Sequence, residues 1–115
     1  MKLRLSLPRP KNKLLLVRRV VGDSMVPTLA PGGIIIGVWH RRAKVGDVVI
    51  IKHQGLEKTK RITQMAGRRI FVEGDNAMQS TDSRQFGWID QNSVLARVIW
   101  PRTGNWPKGR SSGML

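Results

Sequence analysis

The stretch Val21-Gly22-Asp23-Ser24-Met25-Val26-Pro27-Thr28-Leu29 presents one hydroxyl at the apex of a segment bracketed by Gly22 and Pro27. That punctuation marks a turn rather than a regular element. Pro27 fixes its own φ and biases Val26 towards extended backbone, so the loop is expected to be stiff. A stiff loop that holds out a hydroxyl suits a serine nucleophile. Asp-Ser before a short turn is also ordinary turn chemistry, so this motif alone does not decide. The sequence has no Cys, which excludes a thiol nucleophile, a disulfide framework and Cys-ligated metal. Its two His, His40 and His53, lie thirteen residues apart without helical pairing and are expected on solvated strand edges. Neither a zinc site nor any other cofactor is expected, and a Ser-His-Asp triad would have to use one of these two rings.

A second stretch carries polar chemistry. Gly74 to Gly87 reads Gly-Asp-Asn-Ala-Met-Gln-Ser-Thr-Asp-Ser-Arg-Gln-Phe-Gly and is turn-rich and polar. Asp82 and Arg84 are placed to form a local pair that fixes the loop. Ser80 supplies a hydroxyl able to orient another side chain. Plain turn stitching would use the same residue types.

The elements that must position these residues are short strands. Leu14 to Val21 reads as the first, followed by the Ser24 loop over Asp23 to Pro31 with at most one helical turn. Gly33 to Trp39 is near-continuously apolar, which points to burial on both faces. Val45-Gly46-Asp47 turns the chain into a strand over Val48 to Lys52, and His53 to Glu57 is read as a loop. Lys58 to Thr63 alternates, with Lys58, Lys60 and Ile62 on one face and Thr59, Arg61 and Thr63 on the other. Ala66-Gly67-Arg68-Arg69 is a hairpin turn returning into Ile70 to Glu73. Trp88 to Asn92 is a short turn, and Ser93 to Trp100 is the last strand. Strands of this length with turn signals between them predict an all-β fold, a single small rolled or barrel-like sheet.

At 115 residues the chain is one domain, read as a basic N-terminal arm over 1–12, a body over 13–101 and a tail over 102–115. The net charge is +14, with seven cations before the first acid, Asp23. Such a field attracts anionic partners, either nucleic acid or an acidic lipid surface, or simply keeps the protein soluble. The apolar runs at Leu14 to Val17 and Ile34 to Ile36 are far shorter than the roughly 20 residues of a spanning helix. Pro8 and Pro10 interrupt the arm, which lacks the apolar core of a secretory signal.

Three pieces now stand in one order: Gly22-Asp23-Ser24-Met25-Val26-Pro27-Thr28-Leu29; Val45-Gly46-Asp47-Val48-Val49 followed by Lys60-Arg61; and Gly74-Asp75-Asn76 followed by Ser80-Thr81-Asp82-Ser83-Arg84 and Phe86-Gly87. Together they resemble the catalytic core of the type I signal peptidases, the Ser/Lys proteases of the S26 family, from about Val20 to about Trp100. The resemblance implies the fold type shared by signal peptidases and self-cleaving, LexA-like repressors. It implies Ser24 as nucleophile and Lys60, the Lys directly before an Arg, as general base. Ser80 would orient the Lys60 amine, and Asp82 with Arg84 would brace the site. Met25, Pro27 and the strand from Asp47 through Val48 and Val49 would wall the substrate groove. The substrate would be a precursor protein bound in extended form and cut after a small residue.

The chemistry implied is physically coherent. A free Lys, with a pKa of about 10.4, is protonated at neutral pH and is no base. Burial beside apolar groups such as Met25 and Ile62 disfavours the ammonium. A neutral Lys60 then takes the Ser24 proton, and the Ser24 backbone N–H serves the oxyanion. Some members of the family carry a hydroxyl two residues before the nucleophile; here that position is Gly22.

The chain shows no N-terminal anchor and no large β domain between Lys60 and Gly74. In this it looks like the small proteases that mature nickel-type superoxide dismutase, which implies a cytoplasmic enzyme removing one pro-segment. A second reading keeps the chemistry but sets the basic arm on an anionic membrane and processes exported preproteins. A third, from another class, is a nucleic-acid-binding module with a vestigial site. No helix-turn-helix, zinc motif or stacking aromatics support it, so nucleic acid is not expected as a partner.

Overall fold

The computed structural model describes residues 14–39 and 42–104. The arm expected over 1–12, His40, and the tail beyond 104 lie outside the described residues. The strands are β1 (Leu15–Arg19), β2 (Ile34–Trp39), β3 (Val48–His53), β4 (Leu56–Ala66), β5 (Arg69–Glu73), β6 (Ile89–Asp90) and β7 (Val94–Trp100), with one four-residue helix, α1 (Ser83–Phe86). They form one seven-stranded sheet in the order β1-β2-β7-β3-β4-β5-β6, and every pairing is antiparallel. The fold is all-β, as the strand pattern predicts.

β3 shows why the sheet has two cores. Its Val48-Val49-Ile50-Ile51 run is buried throughout. Strand alternation divides it. Val48 and Ile50 pack with Val20, Met25, Leu29, Ile35, Ala96 and Val98. Val49 and Ile51 pack with Ile62, Ile70, Val72, Ile89 and Val94. On β7 a register shift lets Ile50 oppose Ala96 while Ile51 opposes Val94. The extra residue, Leu95, is a bulge that passes the strand from one core to the other.

The sheet is rolled. Arg18 on β1 forms an ion pair with Glu57 on β4, although β2, β7 and β3 stand between those strands in the sheet. Only a curled sheet brings such strands face to face. Among the described residues, β1 pairs with β2 alone and stands at one end of the sheet.

Several elements differ from expectation. The loop expected over His53 to Glu57 is a two-residue turn at Gln54-Gly55, and β4 starts at Leu56 and runs for 11 residues. Trp88 to Asn92 contains a two-residue strand, β6, that pairs with β5. The polar stretch after Gly74 holds α1, whose N-cap is Asp82. His53 is half-buried rather than solvated; its ring stacks on Phe86 at 4.1 Å because β3 ends beneath α1. Residues 102–104 are held against the domain, since the Thr103 carbonyl accepts from Arg61 at 3.3 Å.

Candidate active site

Ser24 sits in the turn between β1 and β2 that the sequence marks. One helical bond, Leu29 N–H to the Met25 carbonyl at 2.9 Å, tightens it without continuing into a helix. Met25 and Leu29 point into the core and pin the loop from below. The Val26–Pro27 peptide is cis. Gly22 has a φ of +80°, a region that a hydroxyl-bearing residue enters only with strain. The backbone there selects glycine before any question of a second oxyanion donor arises.

Lys60 and Arg61 follow each other on β4, so their side chains leave opposite faces of the strand. Lys60 stands opposite Val49 and is only 5% exposed. Its Nζ donates to Ser80 Oγ at 2.9 Å. Burial pushes the Lys60 ammonium down from its ordinary value; Asp82 opposes this, while Lys58 and Arg84 add to it. Ser24, Met25 and Lys60 line one cleft of about 370 Å³, together with Val20, Val21, Ile50 and the ionic residues of β1 and β4.

Ser80 in turn donates to Asp82 Oδ2. Asp82 is fully buried and heavily bonded. It accepts from Arg84 Nε at 2.9 Å, from Arg84 Nη2 at 2.6 Å and from the Gly74 N–H at 2.7 Å. Burial alone would raise its pKa. The bonds from Arg84, Ser80 and Gly74 outweigh burial and hold the carboxyl well below the usual carboxylate range. Asp82 also caps α1 in a reciprocal box with Gln85, so the same carboxylate that fixes Ser80 starts the helix. The sequence forms this helix because an Asp and a Gln stand three apart after a polar loop.

The opposite face of β4 carries a second cation with a different task. Arg61 is 1% exposed and grips Asp75 through Nε and Nη2, both at 2.9 Å. Its Nη1 donates to the Gly46 carbonyl at 2.7 Å. Asp75 also accepts from the Thr28 hydroxyl, and its N–H contacts the Met25 sulfur at 3.5 Å. The next residue completes the clamp. Asn76 N–H donates to the Ser24 carbonyl at 2.8 Å, and its side-chain amide donates to the Asp23 carbonyl at 3.0 Å. Gly74 is the spacer. A Cβ on Gly74 would lie 2.3 Å from Ser80 Oγ and 2.7 Å from the Ser24 carbonyl, so no other residue fits between the two serines.

The structure thus brings Ser24, Met25, Lys60, Ser80, Asp82 and Arg84 into one neighbourhood. The other expected groove residues stand elsewhere. Val48 and Val49 are buried in the two cores, and Pro27 is exposed on the turn. Asp47 accepts from the Lys44 N–H at 2.8 Å and shapes the turn before β3. Arg61, Gly74, Asp75, Asn76 and Thr28 were given no individual role by sequence reasoning. The signal was present in Lys60-Arg61: if one neighbour enters a site, the other must find a partner behind the strand. Among the described residues, no group of three or more His, Cys, Asp or Glu is arranged to hold a metal ion. Among the same residues, no helix is long and apolar enough to cross a membrane.

Known proteins similar to this chain are named as proteases. The chain is 32% identical over 115 residues to mitochondrial inner membrane protease subunit 1 of Schizosaccharomyces pombe, covering 74% of this chain and 73% of that protein. It is 30% identical over 115 residues to mitochondrial ATP-independent inner membrane protease subunit 1a of Arabidopsis thaliana, covering 71% and 68%. Subunit 1b of the same plant is 28% identical over 109 residues, covering 69% of this chain and 64% of that protein, just under two thirds of its length. Residues 1–99 match the Peptidase S24-like family. With an all-β rolled sheet and relatives named as proteases, the chain is a signal-peptidase-like protease of the S24/S26 superfamily and belongs to the Peptidase S24-like family.

Proposed function

We propose that this chain is a serine endopeptidase with a Ser24/Lys60 dyad that removes an N-terminal segment from a precursor protein. The observation that carries the reading is a buried lysine, held by a serine hydroxyl, in the same cleft as the serine of a clamped turn. Its ammonium is disfavoured by burial, which is the condition for a lysine base. The body over 13–101 is the proposed catalytic domain.

The steps follow from the groups. Neutral Lys60 takes the proton of Ser24 as Oγ bonds to the scissile carbonyl carbon. The Ser24 N–H serves the oxyanion that forms. As the C–N bond breaks, the Lys60 ammonium returns its proton to the leaving amine. Water then attacks the Ser24 ester, giving a proton to Lys60 that passes back to Ser24 Oγ. Ser80 aims the amine through both halves, and Asp82 with Arg84 fixes Ser80. The substrate lies extended in the cleft, adding a strand beside the site.

For the substrate we propose the precursor of a nickel-type superoxide dismutase, processed in the cytoplasm. The direct turn between β4 and β5 supports it, since no second domain is inserted there. A second reading, processing of exported preproteins at an anionic membrane, is favoured by the relatives named as inner membrane protease subunits. The test is cleavage of both precursors by the wild type and by Ser24→Ala, with mass spectrometry of the products. Ser24-dependent cutting that frees the dismutase N-terminus supports the first reading. Ser24-dependent cutting of the preprotein alone supports the second. No cutting of either overturns the proposed substrates.

A further inference from the structure

We infer that the cleft selects peptides carrying a carboxylate side chain three or four residues from the scissile bond, where it replaces Glu57 as the partner of Arg18. The inference rests on the Ser24/Lys60 reading above. Arg18 Nε donates to Glu57 Oε1 at 2.7 Å, and Nη2 donates to Oε2 at 3.2 Å. This fork spans the cleft from β1 to β4, and both residues line it. A peptide lying extended between the two strands must pass the pair or open it. Glu57 precedes Lys60 by three residues on the same strand, about 10 Å at the usual rise. An extended peptide covers that distance in three or four residues counted from the reacting carbonyl.

The charge of the lining sets which side chain is welcome. Glu57 is the one carboxylate among the lining residues, against Arg18, Arg19, Lys58 and Lys60. Arg19 rests on the Gly32 carbonyl at 2.7 Å, and Lys58 lies 4.8 Å from the centre of the Phe86 ring. Neither contact cancels the charge. Leaving Lys60 aside, three cations face one anion. A peptide carboxylate reduces this imbalance, whereas a peptide cation would leave Arg18 beside Arg19 without a counterion. The exchange is easy on the protein side. Lys52 stands directly opposite Glu57 in the β3–β4 ladder and accepts the carboxylate that Arg18 gives up. The pair is also half-exposed, so solvent competes for it already.

The test is an aspartate scan. Peptides with small residues at the bond carry one Asp, moved from the second to the fifth residue on each side, with Asn as the matched control. Cleavage is read as kcat/KM for the wild type, Arg18→Gln and Glu57→Gln, and binding as fluorescence anisotropy on Ser24→Ala. The expected result is an Asp preference of about three- to ten-fold at the third or fourth residue on one side, weaker in high salt. It disappears in Arg18→Gln and grows in Glu57→Gln, where Arg18 keeps its bond to the Val17 carbonyl but loses its internal counterion. A flat scan, or a preference that survives Arg18→Gln, overturns the inference, and Ser24-dependent cutting in that experiment leaves the protease reading intact. Arg18-dependent Asp preference in binding, with no cutting by the wild type, keeps the carboxylate site and removes the catalytic reading. Absence of both binding and cutting overturns the two together.

Discussion

The Asn76 backbone N–H donates to the Ser24 carbonyl at 2.8 Å, tying the loop after β5 to the turn before β2. This bond joins the two segments that carry the proposed nucleophile and the residue that orients its base. Gly74 lets them meet, Asp75 anchors them through Arg61 and Thr28, and Asp82 holds Ser80 against Lys60. The site is therefore positioned twice, once from each face of β4.

Removing the anchor should cost the fold more than the chemistry. Asp75→Ala leaves Arg61 buried without its counterion, and breaking such a pair costs about 3–5 kcal/mol. Urea unfolding of the variant measures this directly. A loss below about 1 kcal/mol would mean that Arg61 is satisfied by the Gly46 and Thr103 carbonyls alone.

Ser80→Ala should separate positioning from folding. The hydroxyl accepts from Lys60 and donates to Asp82, and neither partner is the nucleophile. The expected result is a fall in kcat of about 100-fold with KM nearly unchanged, as for the loss of an aligned proton acceptor. A change confined to KM would place Ser80 in substrate binding instead.

The pH profile should report Lys60. Burial and the neighbouring Lys58 and Arg84 lower its pKa from 10.5, so kcat/KM should rise with pH and level off before free lysine deprotonates. Lys58→Ala removes a cation that disfavours the Lys60 ammonium. Its proton is then held more tightly, and the rising limb should move to higher pH while most of the maximal rate is kept. A limb that moves to lower pH would contradict this coupling, and a maximal rate lost with Lys58 would assign the base to Lys58.

Acid should find Asp82. Its folded-state pKa lies below the unfolded value near 3.8, so the stabilisation it gives is complete above that value and fades as pH falls below it. Asp82→Asn should be less stable than the wild type at neutral pH, and the difference should narrow at low pH. Parallel acid-unfolding curves measured by circular dichroism check this; a constant difference would contradict it.

Much of the fold can be read from local pattern because the strongest elements obey simple rules. The apolar run from Val48 reads as a strand after the Val45-Gly46-Asp47 turn, and the alternation from Lys58 onward correctly set Lys60 and Arg61 on opposite faces. What local pattern does not carry is tertiary. β6 is two residues long and exists because β5 needs a neighbour. β4 begins early because Gln54-Gly55 closes the hairpin without a longer loop. α1 was signalled by the Asp82 and Gln85 spacing but is too short for any periodicity. The Ser24 turn, Lys60 and the Ser80 loop were each visible as segments. Their convergence depends on Gly74 lacking a side chain and on Arg61 reaching Asp75, neither of which spacing alone reveals. The cleft walls depend on how the sheet curls, which is why β1 and the start of β4 line it while Val48 and Val49 stay in the cores.

The dyad is tested most directly by comparing wild type, Ser24→Ala and Lys60→Ala on one precursor that the wild type cuts, at neutral pH, with product masses as the readout and circular dichroism as the check on folding. Both variants are expected to stay folded and to lose cleavage by at least about 1,000-fold. A folded Ser24→Ala protein that still cuts the same bond would contradict the account.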